Sequence, residues 1–384
     1  MKFPGALRSK LPKQGTTIFA VMSGLARETG AVNLSQGFPD FSIPKRLVEL
    51  THSYMKRGFN QYSPMQGVPA LREKLAEKVE DLYTAKYNPD TEITVTAGAT
   101  QAIYTAISAF VNEGDEVIIF EPAYDCYVPA IELHGGVPMY VQMNLSGELI
   151  DSEKVGKLIS QQTRMIIINT PHNPSGRVMS AADMLKLQKL TDGTDIIIMS
   201  DEVYEHIIFD GMEHQSVARY PKLAERSIIV SSFGKTYHNT GWKIGHVMAP
   251  EELMDEFRKV HQFNVFSVNT PAQFALADFL EDKDHYLELG AFYQEKRDTF
   301  NRLLQGSNFK IIPSEGTYFQ LLDYSKISDE KDTDYAIRMT KEVGVASIPV
   351  SVFYHEKNED QLLRFCFAKE DETMEKAAEK LMRL

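Results

Sequence analysis

The sequence predicts an α/β fold built on a mainly parallel sheet, followed by a smaller α+β unit. Three observations carry that expectation. Four short runs, at 116–120, 165–168, 196–199 and 228–230, are apolar nearly throughout rather than alternating. A strand that is apolar on both sides is covered on both sides, as in a parallel sheet between helical layers. Helical patterns lie between these runs. Near the C-terminus the period changes: 317–322 and 362–367 alternate, as strands of a small mixed or antiparallel sheet do.

Each element follows from its local pattern. Gly98-Ala99-Thr100 opens a helix over 101–110, ahead of the strand Glu116-Val117-Ile118-Ile119-Phe120. The strands Met165-Ile166-Ile167-Ile168 and Ile196-Ile197-Ile198-Met199 flank a helix at 181–190. There Met184, Leu187 and Leu190 share one face and Ser180 is the N-cap. The run Ile228-Ile229-Val230 leads into a polar loop. The terminal stretch sets Met374, Ala378 and Leu381 on one side of an amphipathic helix. A chain of 384 residues is long enough for two domains. The expected division is an N-terminal arm with part of the small domain at 1–47, a large domain at 48–283 and a C-terminal small domain at 284–384.

Composition removes several classes of function. With 53 acidic against 41 basic residues the net charge is −12, which argues against a nucleic-acid partner. No stretch approaches the roughly 20 apolar residues needed to span a bilayer, and the start carries no apolar core of signal-peptide length. The two cysteines, Cys126 and Cys366, fit no metal-ligand spacing, so no metal is expected; their scarcity suits a reducing cytoplasm. No Gly-x-Gly-x-x-Gly follows a strand, which disfavours a dinucleotide site. No complete phosphate-binding P-loop is present either, because Ile229 stands where its first glycine would be.

In an open α/β sheet, ligands sit beyond the carboxyl ends of the strands. After 165–168 comes Asn169-Thr170-Pro171-His172-Asn173-Pro174-Ser175-Gly176. After 196–199 comes Ser200-Asp201-Glu202-Val203-Tyr204, and after 228–230 a loop containing Ser232, Lys235 and, eight residues on, Lys243. Successive strand ends therefore offer an amide, a carboxylate with a phenol three residues on, and an amine. An amine becomes a useful nucleophile when burial or a nearby cation lowers its pKa. Pyridoxal phosphate needs this set. A carboxylate keeps its ring nitrogen protonated, Asn and Tyr serve its ring oxygen, and a lysine takes its aldehyde. Its phosphate needs the amides of a helix start, which Gly98-Ala99-Thr100-Gln101 supplies.

With these motifs the chain resembles the fold-type I pyridoxal-phosphate aminotransferases of the class I/II group. The likeness runs from Ser35-Gln36-Gly37-Phe38-Pro39-Asp40 to Arg364-Phe365-Cys366-Phe367. Tyr62-Ser63-Pro64-Met65-Gln66-Gly67 and Val260-His261-Gln262 make it similar to the branch acting on methionine, kynurenine and glutamine. The resemblance implies a three-layer α/β/α architecture with a seven-stranded, mainly parallel sheet and a smaller α+β domain. It implies that Lys235 forms the imine, that Asp201 holds the pyridine N–H, and that Asn173 and Tyr204 bond the ring oxygen. Tyr124 would stack on the ring, although Tyr127 is close by and either could be packing. Ala99, Thr100, Gln101, Ser232 and Lys243 would bind the phosphate, with Tyr62 reaching in from the second subunit of a homodimer that shares its active sites. Lys243 stands where many relatives have arginine, keeping charge but losing a fork. Arg364 would clamp the substrate α-carboxylate with help from Asn173 and Gly37. An arginine in an apolar strand needs an anion, and an internal salt bridge is the rival reading. His172, His238 and His261 read as structural or pocket-lining.

The implied reaction is a ping-pong transfer of the α-amino group to a 2-oxo acid. Dicarboxylate-specific relatives use a second arginine, whereas 261–267 has no fixed cation. Phe19, Phe38 and Phe266 would instead form an aromatic wall suited to methionine, aromatic amino acids or glutamine. A carbon–sulfur β-lyase, which expels a β-substituent from the same carbanion, is the alternative.

Overall fold

The computed structural model describes residues 1, 3–145, 147–356 and 360–384. Its strands, in chain order, are β1 (Val32–Asn33), β2 (Ile93–Thr96), β3 (Glu116–Glu121), β4 (Val137–Gln142), β5 (Thr163–Asn169), β6 (Ile197–Asp201) and β7 (Ser227–Ser232). They continue with β8 (Gly245–Met248), β9 (Lys310–Ile311), β10 (Phe319–Asp323), β11 (Val345–Ala346), β12 (Ile348–Pro349) and β13 (Leu362–Cys366). A seven-stranded sheet runs in the order β2-β8-β7-β6-β5-β3-β4. All its neighbours are parallel except β8, which is antiparallel to β2 and to β7.

The four apolar runs are β3, β5, β6 and β7, adjacent in the middle of this sheet. Their residues divide between the two faces. Ile166, Ile168, Ile198 and Ile229 join one apolar cluster, with Leu71 and Leu75 of the helix Pro69–Tyr83. Met165, Ile167, Met199 and Val230 join the other, with Ile103 and Ile107 of the helix Ala99–Phe110. Helices therefore cover both faces, which is why these strands lack a polar side. The helix Ala181–Thr191 is closed at its start by Ser180 and Asp183 in a reciprocal capping box, while Met184 and Leu187 are buried and Leu190 is half-buried.

A smaller antiparallel sheet has the order β12-β13-β10-β9, and β1 pairs parallel with β11 beside it. The expected strand at 317–322 starts two residues later than its alternation suggests. Thr317 takes a left-handed φ of 65°, so the chain turns before Phe319 enters the ladder. Phe319, Gln320, Leu321 and Leu322 are all buried, so this strand too is covered on both faces. The helix Asp371–Leu381 buries Met374, Ala378 and Leu381. Among the described residues no helix is long and apolar enough to cross a membrane.

Candidate active site

β5, β6 and β7 end side by side. Their last residues, together with β13 and the segment 36–38, surround a cavity of about 310 Å³. Lys235 enters it from the one-turn helix Phe233–Thr236, which follows β7 directly. Its Nζ lies 3.1 Å from the Gly37 carbonyl and 3.0 Å from the Tyr318 hydroxyl. Burial brings its pKa down to about 8. Arg364 and Lys243 push the same way, while Cys366 and Asp201 oppose.

Asp201 closes β6 and is buried. Tyr127 donates to its Oδ2 at 2.6 Å and the Val203 N–H reaches Oδ1 at 3.4 Å. The Asn169 side chain holds the Asp201 carbonyl at 2.9 Å, which ties the ends of β5 and β6 together. Burial raises the Asp201 pKa to about 6, against the lowering effects of Tyr127, the Val203 amide and Lys235.

This carboxylate lacks a strong cation partner, and the cost is testable. A carboxyl whose folded pKa lies above its ordinary value holds its proton more tightly folded than unfolded. Its contribution to stability is intact below about pH 4 and is lost as the pH rises through about 6. The deficit at neutral pH is up to about 3 kcal/mol. Asp201→Asn will therefore raise the melting temperature of the cofactor-free protein at pH 7.5 and leave it unchanged at pH 4, as scanning calorimetry at the two pH values would record. Equal melting temperatures at pH 7.5 would show that the carboxylate is already fully compensated.

Arg364 projects from β13 and is 1% exposed. Its Nη1 donates to Asn173 Oδ1 at 2.7 Å and its Nη2 to the Ser35 carbonyl at 3.1 Å, while Nε has no partner. The Phe319 ring lies 3.9 Å from the guanidinium carbon, and Phe19 flanks it at 5.2 Å. No carboxylate among the described residues pairs with it, so the internal salt bridge is not made. Asn173 is held by its own N–H to Asn169 Oδ1 at 2.8 Å. Since its Oδ1 accepts from Arg364, its Nδ2 remains free to donate into the cavity.

The far end of the cavity is cationic. The helix Ala99–Phe110 begins there at Gly98, whose φ is 79°, and Ala99 and Thr100 line the wall. Lys243, also left-handed with φ 54°, sets its ammonium beside Gly98. Ser232, the last residue of β7, also lines the cavity. Gly245 permits this closeness, because a Cβ there would stand 2.6 Å from the Ser231 carbonyl and 3.1 Å from the Ala99 amide. Tyr124 lines the cavity and meets Tyr127 edge-on at 5.8 Å, so the two tyrosines divide the work: one faces the space and the other holds Asp201. Tyr204, Gly37, Phe19 and Phe38 complete the lining among the expected residues.

Three expected residues lie elsewhere. The Gln101 side chain turns away: its Oε1 accepts from the Ala97 N–H, and its Nε2 lies 2.6 Å from Thr105 Oγ1 and 3.2 Å from His261 Nδ1. Phe266 does not form a wall of this cavity; it packs edge-on against Tyr62 at 5.4 Å. Tyr62 is 82% exposed and also off the cavity. Burial brings His172, His238 and His261 to about 4, so all three are neutral near pH 7. Among the described residues no cluster of His, Cys, Asp and Glu could hold a metal. Tyr318, Phe319 and Asn169 have no role in the sequence reading, and Tyr127 figures there only as the neighbour of Tyr124.

The donor set fits pyridoxal phosphate. A helix start and Lys243 suit a dianion, Asp201 suits a protonated ring nitrogen, and a half-buried amine of lowered pKa suits an aldehyde. The unpaired Nε of Arg364 suits a further anion beside them.

Comparison with known proteins agrees with this geometry. Residues 29–381 match the family profile described as aminotransferase class I and II. The chain is 50% identical over 378 residues to the methionine aminotransferase of Escherichia coli, covering 98% of each. It is 36% identical over 393 residues to human kynurenine–oxoglutarate transaminase 1, covering 93% of each. The crystal structure of YbdL from Escherichia coli, assigned a methionine aminotransferase function, superposes with a TM-score of 0.97 at 50% identity, over 99% of this chain and 100% of that one. Sequence and architecture together establish that the chain belongs to the class I and II aminotransferases.

Proposed function

We propose that the cavity holds pyridoxal 5'-phosphate and that the enzyme moves the α-amino group of methionine, aromatic amino acids or glutamine to a 2-oxo acid. The observation that carries this reading is the convergence of Lys235, Asp201, Asn173 and Arg364 on one space. When bound, the cofactor supplies an aldehyde that captures amines and a protonated ring that takes up the electrons left at Cα. Asp201 holds the proton on the ring nitrogen. Tyr204 and the free Nδ2 of Asn173 donate to the ring oxygen, and Tyr124 covers the ring. Ala99, Thr100, Ser232 and Lys243 hold the phosphate. Arg364 binds the α-carboxylate, which fixes Cα relative to Lys235. The Lys235 amine, neutral in part near pH 8, accepts the Cα proton and later returns it. The keto acid leaves before the acceptor enters, so one site serves both half-reactions.

Substrate choice rests on the lining. Phe19 and Phe38 offer apolar surface, and the cations on the cavity, Lys235, Lys243 and Arg364, already have roles. Lys369 is buried nearby but donates to the Phe38 carbonyl at 2.9 Å. A side-chain carboxylate would be desolvated without a partner, which costs several kcal/mol. The relatives named for methionine and kynurenine support the same choice. In a donor screen, methionine and phenylalanine will exceed aspartate in kcat/KM by at least about tenfold; aspartate ranking first would overturn the assignment, and ammonia with pyruvate released from a cysteine conjugate would signal β-elimination instead.

The exposed Tyr62–Phe266 pair supports a homodimer in which each copy lends these rings to the other's site. The two free cysteines support a reducing, cytoplasmic setting.

A further inference from the structure

Tyr318 is fully buried, and its hydroxyl stands 3.0 Å from Lys235 Nζ. The same hydroxyl donates to the Gly37 carbonyl at 2.6 Å, and that carbonyl also accepts from Lys235 Nζ at 3.1 Å. The roles follow from counting protons. A carbonyl has none, so the phenol proton goes to it, and the phenol lone pairs are left for an amine N–H. Burial pushes the phenol well above its ordinary value, so it keeps that proton throughout the working range.

The hydroxyl is aimed by its surroundings. Thr317, just before it, has a φ of 65°, a costly conformation for a β-branched residue. The Thr317 N–H bonds the Ile207 carbonyl at 2.9 Å, and its Oγ1 accepts from the Phe319 N–H at 3.2 Å, so the strained turn is fixed at both ends. The Tyr318 ring packs edge-on against Tyr204 at 5.1 Å and against Phe319 at 5.0 Å. No part of the proposed chemistry uses this phenol, yet the chain spends backbone strain to present it to the reacting amine.

We propose that Tyr318 is a positioning residue which, with the Gly37 carbonyl, berths the Lys235 amine whenever it is not bonded to the cofactor aldehyde, and so sets its protonation and aim for the Cα proton transfer. This rests on the reading of Lys235 as the amine of a pyridoxal phosphate site. A neutral amine has two N–H bonds and one lone pair. With both N–H bonds taken by the two oxygens, the lone pair is its one free valence. It accepts the Cα proton: the C–H bond breaks, an N–H bond forms, and the electron pair stays in the conjugated system to which Cα is joined. The ammonium so formed later gives the same proton up. Other groups facing the amine act on its charge from fixed positions. Arg364 and Lys243 disfavour the ammonium, Asp201 and Cys366 favour it, and the Tyr204 ring lies 5.7 Å away.

The test uses the cofactor-free protein first. Competitive labelling with acetic anhydride across pH 6–10, read at Lys235 by peptide mass spectrometry, gives the protonation midpoint of this amine. Tyr318→Phe removes an oxygen that favours the ammonium, and will lower the midpoint by about one pH unit, the worth of one charge-assisted hydrogen bond. In the loaded enzyme the same variant will lose about tenfold in kcat with KM for methionine held within about twofold. The isotope effect with Cα-deuterated methionine will rise. Thr317→Gly relieves the strained φ and keeps the phenol but loosens its aim; it will shift the midpoint in the same direction by less, and decides the matter if Tyr318→Phe does not fold. An unchanged midpoint in the variant that folds overturns the proposal. Failure of the underlying reading is separate: wild-type protein treated with pyridoxal phosphate and borohydride would then carry no adduct at Lys235.

Discussion

Lys235→Ala will lower turnover of methionine by about 10⁴-fold, the upper range for a positioned acid–base group. The same amine is assigned two tasks, holding the aldehyde and moving the Cα proton, and among the described residues no other side chain is placed to take over the second. Tyr204 is held well above its ordinary pKa by burial and is a poor base. Two of the histidines, His172 and His238, are neutral but engaged with Ser175 and Tyr293. The fold should not suffer. Removing an amine whose charge is disfavoured by burial relieves a cost, so the melting temperature of the cofactor-free protein will hold or rise. Cofactor binding will weaken but persist, because the helix start, Lys243 and Asp201 are untouched. Stopped-flow absorbance with excess methionine separates these effects; turnover within tenfold of wild type would remove Lys235 from the chemistry.

Much of this site was legible because its parts end strands that are apolar on both faces. β5, β6 and β7 announce themselves by their runs, and the residue after each run is then fixed in space by sheet geometry. The other strands of the large sheet were silent for local reasons. β8 is four residues long and contains Gly245 and His246, and β4 lies at the sheet edge, half exposed, with Pro138 in it. Tyr318 was hidden because alternation at 317–322 reads as strand, and alternation cannot reveal that Thr317 turns left-handed and re-aims the next residue. Tyr127 was seen but could not be distinguished from Tyr124, since three residues along a turn and helix start decide which ring faces the cavity.

The placements of Gln101 and Phe266 have the same origin. Gln101 sits one residue past two wall-forming amides, so position along the chain suggested the phosphate. Its side chain instead caps the Ala97 amide and joins Thr105 and His261, steadying the turn rather than lining it. Phe266 follows a helix that passes near the site, but with φ 66° it leaves toward Tyr62. Sequence order gave the neighbourhood of each residue and left its direction open.

Arg364→Gln will lower kcat/KM for amino acids by on the order of 10²–10³-fold, the usual cost of removing one partner of a desolvated, hydrogen-bonded charge pair. The guanidinium is fixed by Asn173, the Ser35 carbonyl and the Phe319 face, so it would meet a carboxylate without an ordering cost. Arg364→Lys keeps a cation but cannot hold both Asn173 and a two-oxygen anion, and will recover only part of the loss. The decisive comparison uses an amine that lacks the α-carboxylate, such as 3-(methylthio)propylamine. Wild type will handle it poorly, and the variant will handle it about as well as wild type does, because the missing interaction has been removed from both sides. Stability provides a further check. Among the described residues Arg364 has no carboxylate partner, so its removal exposes no buried anion there, and the cofactor-free melting temperature will fall little. A loss of equal size for the amine and the amino acid would mean that Arg364 shapes the cavity without binding the carboxylate.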